Sequence, residues 1–81
     1  MTQQEFNQQH PTGEQLTMIH YDFETGRRTA QPAKVLGTRS VSNDPEEFVI
    51  DVHFTDLNEK WQFTPILFGI TSNIDNLRNH S

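Results

Sequence analysis

Residues 48–55 read FVIDVHFT, with Phe48, Ile50, Val52 and Phe54 at every second position and Val49, Asp51, His53 and Thr55 between them. Successive side chains of an extended chain point to opposite faces, so this run sends its largest apolar groups to one side and a mostly polar set to the other. A helical period does not produce that pattern. A half-buried strand with one wet face therefore lies at the centre of the chain, and the remaining residues must supply the apolar surface it packs against.

Its neighbours read as hairpin partners. Asp56-Leu57-Asn58-Glu59 forms a turn, after which Trp61 and Phe63 alternate with Lys60, Gln62 and Thr64 until Pro65 ends the strand. Upstream, from Leu16, Ile19, Tyr21 and Phe23 alternate with Met18, His20 and Asp22, which places the first set inside and the second outside. Glu24-Thr25-Gly26-Arg27 is the matching tight turn, where Gly26 accepts a positive φ. The return limb carries Pro32, which cannot donate to a ladder and belongs at an edge or a bend, and strand character resumes around Ala33 to Leu36. Residues 37–46, GTRSVSNDPE, are the longest polar connection. The run ILFGI at 66–70 is too short to choose between strand and helix, while Ser72 and Asp75 have the spacing of a capping box that starts a C-terminal helix of one or two turns.

Residues 1–15, MTQQEFNQQHPTGEQ, are Gln-rich with Phe6 as their one aromatic residue, and read as a flexible arm. A single small β-rich domain then spans 16–81. The expected fold class is mainly β, or α+β: two β-hairpins in a small bent sheet or an open SH3-like barrel with a short C-terminal helix. The expected core is Ile19, Tyr21, Phe23, Val35, Phe48, Ile50, Val52, Phe54, Trp61, Phe63, Ile66 and Phe68.

Composition narrows the function classes. At 81 residues the chain makes one domain, too small for a large enclosed active site. Six Lys and Arg against eleven Asp and Glu give a net charge of -5, which opposes non-specific attraction to nucleic acid or an anionic membrane and favours a protein partner or a small ligand. The absence of cysteine removes disulfides, thiolate metal sites and thiol nucleophiles, and suits an intracellular, cytoplasmic protein. No stretch reaches the ~18 apolar residues of a membrane span.

Candidate chemistry is sparse. His20 with Asp22, and Asp51 with His53, repeat a His/Asp pair at strand spacing; were their strands adjacent and in register, these side chains could converge on a divalent metal. Strand alternation by itself also yields this pattern on a solvated face. Arg27, Arg28, Lys34 and Arg39 are the candidate partner-binding cations, suited to an acidic segment. Trp61 reads as core by its spacing with Phe63, and the acidic residues Asp44, Glu46, Glu47, Asp51, Asp56 and Glu59 read as a solvated face. No nucleophile triad, phosphate loop or metalloprotease motif is present, so no enzyme activity and no cofactor are expected.

The order of these segments, MIHYDFETGRR, then QPAKVLG, EEFVIDVHF and KWQFTPILFGITSNIDNL, resembles the layout of the small β-barrel sensing domains named after their Trp-Tyr-Leu (WYL) motif. In that family the central strand carries the motif, and Phe48-Val49-Ile50 occupies the corresponding place. The resemblance runs from Leu16 to about Leu77 and implies an SH3-like or Sm-like architecture. The family's ligand-binding arginines near the final strand are replaced by Thr64-Pro65-Ile66, so it implies no ligand here.

Three functions follow as expectations. The first is a non-catalytic protein-binding module, an accessory, regulatory or inhibitor protein of the kind mobile elements encode, acting through sheet edges and loops. The alternatives are a nucleic-acid- or nucleotide-binding barrel using the four cations, and a metal-dependent enzyme using the His/Asp face.

Overall fold

The computed structural model describes residues 1–78. Its architecture is mainly β: a four-stranded antiparallel sheet in the order β1-β2-β3-β4, built from β1 (Gln15–Tyr21), β2 (Arg28–Ser40), β3 (Phe48–Phe54) and β4 (Glu59–Phe63). Helix α1 (Gln3–Gln9) precedes the sheet, and α2 (Pro65–Ser72) and α3 (Asp75–Arg78) follow it. The sheet is open, since β1 and β4 are not paired with each other. Among the described residues no helix is long and apolar enough to cross a membrane.

Strand β3 behaves as its alternation requires. Phe48, Ile50, Val52 and Phe54 are buried on the concave face, and Val49, Asp51 and His53 stand on the reverse face. Full burial of such side chains contributes about 1.5–3 kcal/mol each. The register carries the concave face outward from β3: Val35 pairs with Val52 and Ala33 with Phe54 on one side, Phe63 pairs with Ile50 and Trp61 with Val52 on the other.

Strand β1 enters in the opposite phase to the expected one. Leu16 pairs with Ala33, so Leu16, Met18 and His20 face the core, whereas Tyr21 is 39 % exposed and Phe23, beyond the strand, is 78 % exposed. Ile19 is buried but lies outside the main core cluster. A shift of one residue in pairing exchanges the two faces of a strand, and here the register with β2 decides against the bulkier set. Ile66 is likewise exposed, leaving Phe68 as the fully buried residue of α2.

Pro32 sits in a central strand, not an edge one. Its carbonyl accepts from the Thr55 amide, and because the N–H and C=O of one extended residue project to the same side, its missing N–H also faces β3. The β2–β3 ladder ends at the pair Ala33 and Phe54, so the proline costs no ladder bond. Between Arg28 and Pro32 only β1 is paired with β2.

A bulge between Val35 and Gly37 changes the alternation of β2. Before it, Ala33 and Val35 face the core; after it, Thr38 pairs with Ile50 and Ser40 with Phe48 on that face. Gly37 has φ 148°, a conformation that favours glycine.

The expected mobile arm is instead a capped helix laid on this part of the sheet. Thr2 accepts from the Glu5 amide while the Glu5 carboxylate accepts from the Thr2 amide, a complete capping box. Phe6 is buried against Phe48 and Phe68, with ring centroids 5.7 Å and 4.9 Å away. The amides that made the segment look disordered hold it down: Gln3 Nε2 donates to Thr38 Oγ1 at 3.0 Å, Ser40 Oγ donates to Gln3 Oε1 at 2.6 Å, and Thr38 Oγ1 donates to Asn7 Oδ1 at 2.9 Å. At the other end of the chain ILFGI is helical, with Thr64 as N-cap and Pro65 in the first turn. The short C-terminal helix is present, but Asn73, not Ser72, supplies the side-chain acceptor for the Asp75 amide.

Candidate functional site

At the end of the sheet where β1 finishes and β4 begins, the two outer strands approach each other. Flat, they would be separated by three strand spacings, roughly 14 Å. Yet His20 Nε2 of β1 lies 2.8 Å from Glu59 Oε1 of β4, so the sheet curls toward its concave face. The curl opens a cleft of about 390 Å³ lined by His20, Tyr21, Asp22, Phe23, Glu24, Leu57, Glu59 and Trp61.

Aromatic rings make its walls. Trp61 lies edge-on to Phe54 at 5.6 Å and stacks with Phe23 at 5.7 Å and an interplanar angle of 21°, and Tyr21 meets Phe23 edge-on at 4.9 Å. Trp61 is thus half core and half surface, and the exposed ring of Phe23 extends its plane into solvent. The turn after β1 fixes this placement: Asp22 Oδ1 accepts from the amides of Glu24 and Thr25, and Gly26 closes the loop at φ 72°.

Carboxylates make its rim. Glu59 Oε1 accepts from both His20 Nε2 and Trp61 Nε1, the latter at 3.1 Å. First the His20 bond and then the Trp61 bond hold the Glu59 carboxyl below its ordinary value, so it is ionised at neutral pH. An ionised carboxylate only accepts, which places the proton of this bond on His20 Nε2. Both donors meet the same oxygen, and among the described residues Oε2 has no hydrogen-bond partner. Asp22 is also held below its ordinary value, chiefly by the Glu24 amide. The cleft is therefore an aromatic surface beside the fixed negative charges of Asp22, Glu24 and Glu59.

The sequence candidates fall elsewhere or apart. His20 is buried on the concave face, while Asp51 and His53 stand on the reverse face of β3, with β2 between the two strands. Asp51 accepts from Nε and Nη2 of Arg39, at 2.9 Å and 3.1 Å, and His53 bonds Asn58. The four do not converge, and among the described residues no three His, Asp or Glu side chains are grouped to hold a metal ion. Arg27 and Arg28 lie at the start of β2, Lys34 in its middle and Arg39 near its end. Eleven residue steps of strand lead from Arg28 to Arg39, roughly 35 Å, so the cations form no single patch.

Glu59 and Phe23 are the residues that strand reading missed as a site. In the sequence pattern the first falls in a turn and the second in the core parity of β1. The sequence did carry one signal, an aromatic and two carboxylates in Asp22-Phe23-Glu24, at a turn where a buried ring is out of place. Compared with known protein families, curated proteins and solved structures, the chain matches none.

Proposed function

We propose that the protein is a small non-catalytic binding module that takes a basic segment of a protein partner, with one lysine or arginine side chain entering the cleft between Phe23, Trp61 and Glu59. The observation that carries this reading is the open aromatic face of Phe23 and Trp61 next to the unengaged oxygen of an ionised Glu59. A cation over an aromatic face gains about 0.5–1 kcal/mol at exposed sites and about 2 kcal/mol when desolvated. Arginine adds planar stacking and a fork of donors that matches a carboxylate. The net charge of -5 draws such a segment toward the molecule.

An acidic partner gathered by arginines finds less support, because Arg39 is already engaged by Asp51 and the other cations are spread along β2. Nucleic acid would meet carboxylates at this aromatic cleft, the reverse of what a phosphate backbone requires. Trp61 is the only tryptophan of the chain, so its fluorescence reports on the cleft directly. Titration with a short lysine- and arginine-containing peptide at low salt should change that emission saturably, and an acidic peptide of equal length should not. Equal response to both peptides, or to neither, rejects the reading.

A further inference from the structure

Helix α2 is built inside out. The side toward the protein carries Pro65, Phe68, Thr71 and Ser72, all partly or fully buried. The side toward solvent carries Ile66, Leu67 and Ile70, exposed by 77 %, 50 % and 49 %, with Gly69 among them. Positions 66, 69, 70 and 73 have the spacing of one helix stripe, and Ile74 extends it beyond the cap residue Asn73. A helix on the surface of a protein that stays monomeric ordinarily shows water its polar face.

Gly69 adds a second, independent observation. Glycine inside a helix is destabilising by roughly 0.5–1 kcal/mol relative to alanine. Nothing among the described residues requires it, since a Cβ built there meets no atom of theirs within 4 Å and its backbone is not in the positive-φ region. The missing side chain leaves a notch in the exposed stripe, which lets a second helix backbone come close.

Charge selects the occupant. From Thr64 to Ile74 there is no Asp, Glu, Lys or Arg, on a molecule of net charge -5. An anionic lipid surface calls for lysines or arginines along such a helix, and a basic protein segment calls for carboxylates. An identical uncharged stripe calls for neither. We propose that α2 is a self-association surface: two copies of this chain pack Ile66, Gly69 and Ile70 against each other across a twofold axis, with the helices crossing at Gly69.

Sedimentation equilibrium of the full chain tests it. The expected result is a reversible monomer–dimer equilibrium. Ile66→Glu with Ile70→Glu should raise its dissociation constant at least ~tenfold while circular dichroism stays unchanged, because both side chains are exposed. Gly69→Ala separates interface from fold: it should raise the unfolding temperature of the dilute monomer, as alanine favours the helix, and also weaken the dimer. A purely structural role would not move these two readouts in opposite directions. A monomer at every concentration, a dimer indifferent to the double substitution, growth past the dimer, or a monomer that instead co-sediments with phosphatidylcholine vesicles would each overturn the proposal.

Discussion

The concave face has two ends, and each holds a histidine among aromatic rings and bonded to a glutamate. At one end His10 lies 4.9 Å from the Phe6 ring and 5.2 Å from Phe68, and its Nδ1 meets Glu14 at 3.2 Å. At the other, His20 lies 4.9 Å from Phe54 and 4.8 Å from Trp61, and meets Glu59 at 2.8 Å. The parts are alike and the surroundings are not. Phe6, Phe48 and Phe68 close over the first cluster, where Glu14 Oε2 is buried without a hydrogen-bond partner among the described residues. The rings of the second run out through Trp61 to Phe23, and its spare carboxylate oxygen belongs to a half-exposed Glu59. The same chemistry is sealed where a helix covers it and stands open to solvent where its outermost ring, Phe23, is uncovered.

That contrast can be broken most forcefully at the closed end. Phe6→Ala removes the ring that joins α1 to the sheet and should cost ~3–5 kcal/mol in urea unfolding, with α1 undocked. If stability hardly changed, the closed end would not be the sealed cluster described.

The open end should respond in binding and not in folding. Phe23→Ala is expected to weaken a basic peptide by about tenfold, or ~1.4 kcal/mol, measured by Trp61 fluorescence, with stability altered by less than ~0.5 kcal/mol. A loss of stability equal to that of Phe6→Ala would make the two ends equivalent.

Protonation offers a smaller and graded test. The Glu59 carboxyl is held below 4.5 when folded, so it adds stability above that pH, and the contribution is lost as pH falls through the lower folded value. The thermal midpoint should therefore decline below pH 4.5, and Glu59→Gln should decline less than the parent protein over that window. Asp22 and Glu5 are lowered too, so the difference between the two proteins, not the total decline, is the quantity to compare. The smallest effect belongs to the reverse face: Asp51→Ala with His53→Ala should shift stability by about 1 kcal/mol or less, and leave peptide binding within ~twofold, since an exposed ion pair contributes little.

The parts of the fold legible in sequence are those where one parity is apolar and the other is not. β3 is such a case; the turn at Gly26 is legible for a different reason, the positive φ that a glycine accepts. In β1 both parities carry bulk, Leu16 and Met18 against Ile19, Tyr21 and Phe23, and only pairing with Ala33 decides between them. The candidate site inherits that ambiguity, because inward His20 is what meets Glu59 and Trp61 across the curl. Proximity between β1 and β4, at opposite edges of the sheet, is a property of curvature and leaves no mark in either strand. Helix α1 was readable in part: Thr2-Gln3-Gln4-Glu5 has capping-box spacing, but glutamines that bond to Thr38 and Ser40 look from sequence like glutamines that bond to water.

The bulge at Val35 to Gly37 has a consequence for how the chain tolerates length changes. It acts as a one-step frameshift in the alternation of β2, and everything beyond it is read in the new frame. Deleting Leu36 would leave Val35 opposite Val52 and Thr38 opposite Ile50 in an uninterrupted ladder, with Thr38 and Ser40 still on the face of Gln3 and Asn7, whereas pairing Leu36 as an ordinary ladder residue would rotate both onto the reverse face. The deletion would keep the helix docked; ironing out the bulge at full length would lose it. An extra residue in this strand is thus the punctuation that lets one half of β2 answer to β1 and the other half to α1.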